Sequence, residues 1–254
     1  MSYILPDLNL LEVKSTKLED DKSMKFVVEP LSPGYGVTVG NTLRRILLSS
    51  LEGAAIKSVK IAGASHEFST LKGVKEDMVD LILNLKTARF KLVGDGPVKI
   101  ELSVKGPKKV TVSDFKKNSQ IEPVDPSHYI ASLEKNAKLE IEIEIDRGRG
   151  YVPVEKRTEE KLPIGTIMVD SIYTPVKKVK FDVENARVGG MTNYNRLILE
   201  ITTDGTISPQ EALKTAASIM NEHLQVIVDS CQTTSKPKKE TAEKKTRVKK
   251  TKEE

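Results

Sequence analysis

Residues 139–146, LEIEIEID, set Leu139, Ile141, Ile143 and Ile145 against Glu140, Glu142, Glu144 and Asp146 in strict alternation. Successive side chains of an extended strand point to opposite faces, so this segment buries one face and wets the other. Further strands are predicted at residues 24–31 (MKFVVEPL), 54–63, 90–106, 176–183 and 196–202. Helical patterns fall mostly outside this strand-rich middle. VTVGNTLRRILLSSL follows the strand that ends near Pro30, with Asn41 or Thr42 expected near its cap, and KEDMVDLILNLK (75–86) reads as a short helix. Ser208-Pro209-Gln210-Glu211 is a capping box with proline at the first helical position, opening a long final helix. The pattern predicts an α+β fold in which the N-terminal and C-terminal parts meet and a strand-rich region is inserted between them.

Charge is informative once it is located. The chain has 254 residues with 41 Lys and Arg against 36 Asp and Glu, a net charge of +5. Residues 236–254, KPKKETAEKKTRVKKTKEE, account for all of that excess, so the first 235 residues are neutral overall. A fold that tracks nucleic acid phosphates usually carries its charge on the folded body. The basic tail has no apolar periodicity and reads as disordered, either a solubilising end or a weak, salt-sensitive attraction to nucleic acid. No apolar run approaches the roughly 20 residues of a membrane span, and no signal peptide is visible. The single cysteine, Cys231, allows no intrachain disulfide.

Three features invite a chemical reading. Gly34, Gly36 and Gly40 precede a helical pattern, as in a phosphate cradle, but a dinucleotide fingerprint needs G-x-G-x-x-G and a Walker A loop needs Gly-Lys-Ser/Thr. Neither spacing is met, and the glycines read as residues that turn the chain. In the following helix Leu43, Ile46, Leu47 and Leu51 share one face, while Arg44, Leu48 and Arg45 fall at about 100°, 140° and 200° from Leu43. That second face is either solvated charge or a protein interface, where arginine is favoured. In the final helix Ala212, Leu213, Ala216, Ala217, Met220 and Leu224 lie on a wide apolar arc, which both core packing and a helix–helix dimer seam would explain. His66, His128 and His223 are scattered, without zinc-ligand spacing, and His223 falls on the apolar arc as a core or interface residue. Glu76, Asp77 and Asp80 read as a solvated helix face, and RGRGY (147–151) as a turn with two exposed arginines. The residues point to a scaffold rather than a catalyst.

The segment EPLSPGYGVTVGNTLRRILLSSLEGAAI resembles the N-terminal signature of bacterial-type RNA polymerase α subunits. The likeness continues through HEFSTLKGVKEDMVDLILNLK, RGRGYVP, LPIGTIMVDSIYTPVKKVKFDVENARV and TDGTISPQEALKTAASIM, in the family's order, over almost all of residues 1–231. The resemblance implies a dimerisation subdomain from residues 1–52 and 172–231, an inserted β-rich subdomain from 53–171, and a basic tail from 232–254. It implies a homodimer that nucleates assembly of the β and β′ subunits, with omega in the same complex. The chain itself would be a non-catalytic part of a nucleotidyltransferase, without a cofactor, the catalytic magnesium being expected on β′. Arg44, Arg45 and Leu48 match positions that face the β subunit, with RGRGY near the same contact. Lys86 and Val169 match positions of β′ contact. The dimer helix is expected to use Leu213, Ala216, Ala217, Met220 and Leu224. The implied location is the bacterial cytoplasm or the stroma of an organelle of bacterial descent. DNA would be met through the assembled enzyme or weakly through the tail, and no membrane is expected. Family members usually continue into a small helical domain that binds upstream promoter DNA; past Cys231 only the basic tail is expected here.

Overall fold

The computed structural model describes residues 11–18, 20–94, 96–157, 163 and 165–233. In chain order the elements begin with β1 (Glu12–Lys17), β2 (Ser23–Leu31), α1 (Tyr35–Ser49), β3 (Glu52–Ile61) and α2 (Met78–Thr87). Then come β4 (Phe90–Leu92), β5 (Val98–Lys105), β6 (Lys108–Thr111), β7 (Ile121–Pro123), β8 (Tyr129–Leu133) and β9 (Lys138–Arg149). The chain proceeds through β10 (Tyr151–Val152), β11 (Thr166–Met168), β12 (Ser171–Ile172), β13 (Val176–Val188), β14 (Met191–Thr203) and α3 (Pro209–Thr233). The architecture is α+β. The basic segment 236–254 lies outside the described residues.

The alternating segment is the middle of β9, which lies inside the antiparallel sheet β11-β3-β9-β5. Leu139, Ile141, Ile143 and Ile145 are buried, and the glutamates between them occupy the wetter face. Met78, Leu81 and Leu85 of α2 pack on this core, as their helical spacing requires. Asp77 caps α2 by accepting from Asp80 N at 2.8 Å. The short ribbons β4–β7 and β6–β8 close the rest of the core.

A second core draws on the two flanks of the sequence. The sheet β1-β2-β14-β13 contributes Met24, Phe26, Leu197, Leu199 and Ile201. Helix α1 adds Leu43 and Leu47, and α3 adds Ala212 and Ala216. Buried residues of this core come from 24–51 and 176–216, while those of the first come from 56–169.

The start of α1 differs from expectation. The helix begins at Tyr35, not near Asn41, and only Gly34 turns the chain, at φ 84°. Gly36 and Gly40 lie inside the helix, four residues apart, facing the sheet. A Cβ on Gly36 would stand 2.7 Å from Val183 Cγ1, and one on Gly40 would stand 2.8 Å from both Leu197 Cδ1 and Phe181 Cδ2. These glycines therefore permit close helix–sheet approach, a packing requirement that a local reading of glycine as a turn residue does not register.

RGRGY differs only in part, since both arginines are exposed as expected. Strand β9 runs on through Arg149, and the turn comes at Gly150, φ 66°. Arg147 Nη2 donates to Leu92 O at 3.0 Å, and Arg149 Nε donates to Glu52 Oε1 at 3.0 Å, so both arginines are engaged. Gly148 accepts the ring of Tyr173, whose nearest atoms would lie 2.7 Å from a Cβ there.

Candidate functional site

The groups singled out in the sequence occupy three surfaces. On α1, the 100° step that sends Leu43 and Leu47 into the core sends Arg44 and Arg45 outward. Both arginines are exposed, and neither has an ion-pair partner among the described residues. Leu48 is half-buried, and its carbonyl accepts from Thr174 Oγ1 at 3.3 Å. Ser49 Oγ donates to Arg45 O at 2.8 Å, closing the last turn. The surface is a pair of exposed guanidinium groups beside a half-buried apolar side chain, a chemistry suited to carboxylates and carbonyls.

The second surface is built round Lys86 in the last turn of α2. Lys86 Nζ donates to Asp170 Oδ2 at 2.9 Å and stands 5.9 Å from the centroid of the Tyr151 ring. Asp170 Oδ1 accepts from Val154 N at 3.0 Å. The Lys86 ammonium, followed by the Val154 N–H, holds the Asp170 carboxyl below the ordinary carboxylate range. The Tyr151 hydroxyl, bonded to Asp170, is pushed above its usual value by that carboxylate. Val79 and Leu83 of the same helix are exposed. Val169, paired with Lys86 in the sequence reading, is only 3% exposed and belongs to the core. The group that meets Lys86 is its neighbour Asp170. Asp170 does not stand out in the sequence because it lies in the short link between β11 and β12 and meets Lys86 from 84 residues away, a contact that no local pattern records.

The third surface is α3. Ser208 Oγ accepts from Glu211 N at 3.2 Å, and Glu211 Oε2 accepts from Ser208 N at 3.4 Å, so the capping box is formed. The first half of the helix packs on its own sheet. Ala216 is fully buried there, not at an open seam, and Leu213 and Met220 are half-buried against the same core. Ala217 is exposed, and from Asn221 to Cys231 every residue is exposed. Leu224 is 49% exposed and Ile227 60%, with Val226 and Val228 beside them. His223 is exposed as well, its Nδ1 2.7 Å from Ile219 O. A wide apolar arc read from periodicity does not say that the helix outruns the sheet beneath it.

Other sequence features resolve into structure. Asn195 Oδ1 accepts from Gly34 N at 2.8 Å and from Gly36 N at 3.3 Å, so the N–H groups expected of an anion cradle are already engaged. Glu76 is not simply solvated: it accepts from Ser132 N at 2.7 Å and from the Tyr129 hydroxyl. Partial burial works against its charged form, but those hydrogen bonds outweigh it and hold the carboxyl below the ordinary range. Among the described residues, no three His, Cys, Asp or Glu side chains stand together as a metal site. No helix of the described residues is long and apolar enough to cross a membrane.

Residues 59–174 match the family model described as the RNA polymerase Rpb3/RpoA insert domain. The chain is 48% identical over 225 residues to the DNA-directed RNA polymerase subunit alpha of Clostridium botulinum strain Hall, covering 86% of this chain and 71% of that one. It is 51% identical over 210 residues to the subunit of the same name from strain Eklund 17B, covering 83% and 67%.

Proposed function

Since the chain belongs to the family of bacterial DNA-directed RNA polymerase α subunits, we propose that it acts as a homodimeric scaffold on which the β and β′ subunits assemble. The first half of α3 is held by the core built from the flanks of the sequence, and its outer half pairs with that of a second copy. In this reading residues 1–52 and 172–231 form the dimerisation subdomain and 53–171 the insertion. Arg44, Arg45 and Leu48 receive the β subunit, and Lys86 with Asp170 and Tyr151 receives β′. Val169 supports that second surface from beneath.

The observation that carries this reading is a division of labour within each element. Helices α1, α2 and α3 each commit one face to a core and turn another outward: α1 exposes Arg44 and Arg45, α2 exposes Val79 and Leu83 beside the half-buried Lys86, and α3 exposes Leu224 and Ile227. Exposed apolar residues in a contiguous run mark interaction surfaces, and paired guanidinium groups beside an apolar side chain are common at them. The chain would have no chemistry of its own; the catalytic magnesium belongs to the β′ subunit, and omega joins the same complex. The proposed setting is the cytoplasm, with DNA met through the assembled enzyme. The test is ordered reconstitution followed by size-exclusion chromatography with light scattering. Free chain should elute as a dimer, take up β, and only then take up β′. A monomer that binds neither large subunit would refute the proposal.

A further inference from the structure

Three residues beyond Lys86, Arg89 reaches out of the strand-rich core towards the other one. Its Nη1 donates to Ile172 O at 2.8 Å, and its Nε stands 3.7 Å from Asp204 Oδ2. Asp204 lies in the turn between β14 and α3 and is only 4% exposed. Its other oxygen accepts from Thr206 N at 2.9 Å and from Thr206 Oγ1 at 2.6 Å, and its own N–H donates to Pro175 O at 2.9 Å. Among the ion pairs of the described residues, this is the one that joins the segment 56–169 to the segment 176–216. The contact continues at Gly205, where a Cβ would lie 2.8 Å from Val124 Cγ1, and Val124 N donates to Arg89 O at 3.0 Å. Immediately beside this clamp the two halves part, leaving a cleft of about 620 Å³ between β4 (Phe90, Leu92) and the start of α3 (Thr206, Ile207, Lys214).

An apolar pair of the same volume would hold two cores together at least as well as a buried ion pair does. What the ion pair adds is direction: a planar guanidinium bonded to a fixed carbonyl and beside a fixed carboxylate tolerates little rotation. We propose that Arg89 and Asp204 are a positioning pair that fixes the angle between α2, which carries Lys86, and the core that carries α1 and α3. The angle matters because the β′ subunit must meet Lys86 while β is already held on α1. This inference rests on the assembly reading above.

Two variants separate the charge from the fork. Asp204→Asn keeps an acceptor for Thr206 and removes the charge, and Arg89→Met keeps an apolar stem and removes the guanidinium. Both should bind β as the wild type does, while the resulting complex takes up β′ roughly fivefold or more weakly. A control, Ile143→Val, lowers stability from within one core and should leave β′ uptake unchanged. Spin labels at Val79→Cys and Ser218→Cys, with Cys231→Ser, read the geometry directly: the distance distribution should broaden in both variants. Unchanged β′ uptake with an unchanged distribution overturns the proposal, and so does a parallel loss of β and β′ binding. If the wild type binds no large subunit, the assembly reading fails, and the distance distribution alone still decides whether the pair sets the angle.

Discussion

Asn195 closes the N-terminus of α1 from the neighbouring strand, its Oδ1 shared by the N–H groups of Gly34 and Gly36 at 2.8 and 3.3 Å. The first turn of a helix has four backbone donors without intrahelical partners, and here a side chain 161 residues away in sequence supplies the acceptor. Asn195→Ala should therefore destabilise the fold by about 1–2 kcal/mol, the usual cost of a lost cap, in urea unfolding. Asn195→Asp should recover most of that loss, since a carboxylate accepts the same bonds and suits the positive helix end.

Gly40→Ala tests the close approach of α1 to the sheet. In a free helix the change would add about 1 kcal/mol of stability. Here the new methyl meets Leu197 and Phe181 at 2.8 Å, and overpacking of a filled core costs about 1–3 kcal/mol. The expected result is a lower unfolding midpoint. A gain in stability would mean that the interface yields.

The pairing of Lys86 with Asp170 gives a pH dependence with a definite sign. Asp170 is held below its ordinary value of 3.8 in the folded chain. Its contribution is complete above that value and disappears as pH falls through the lower folded one. Between about pH 6 and pH 2.5, stability of the wild type should thus fall more steeply at the acid end than that of Asp170→Asn. The difference should be modest, because both side chains keep contact with water. Parallel acid limbs would show that the pair contributes nothing.

Much of this was legible in local sequence, and the exceptions share a cause. Alternation in LEIEIEID and the capping box at Ser208 depend on neighbours in the chain, and both formed as read. Gly36 and Gly40 read locally as turn residues, but their role depends on Val183 for the first and on Phe181 and Leu197 for the second, all far away in sequence. The environment of Lys86 was incomplete for the same reason: Asp170 and Tyr151 arrive from strands and turns whose register no short window contains. Along α3, periodicity identified the apolar arc but not the point at which the sheet beneath it ends.

That exposed outer half of α3 supports a direct test of dimerisation. Leu224→Glu with Ile227→Glu should leave the far-ultraviolet circular dichroism unchanged, because neither residue packs on the core of its own chain. Light scattering should change from dimer to monomer, since residues at the centre of an interface commonly contribute about 2 kcal/mol or more each. A variant that remains dimeric would place the contact between copies elsewhere.

The most direct measurement is capture of the β subunit by wild type and by Arg45→Ala, with thermal unfolding of each free protein. Arg45 is exposed and without an ion-pair partner among the described residues, so its removal should leave the unfolding midpoint where it is. The scaffold account expects wild type to retain β and the variant to lose most of it at unchanged stability. Equal retention by the two proteins would make Arg45 an ordinary surface charge and contradict the assignment of α1 as the face that receives β.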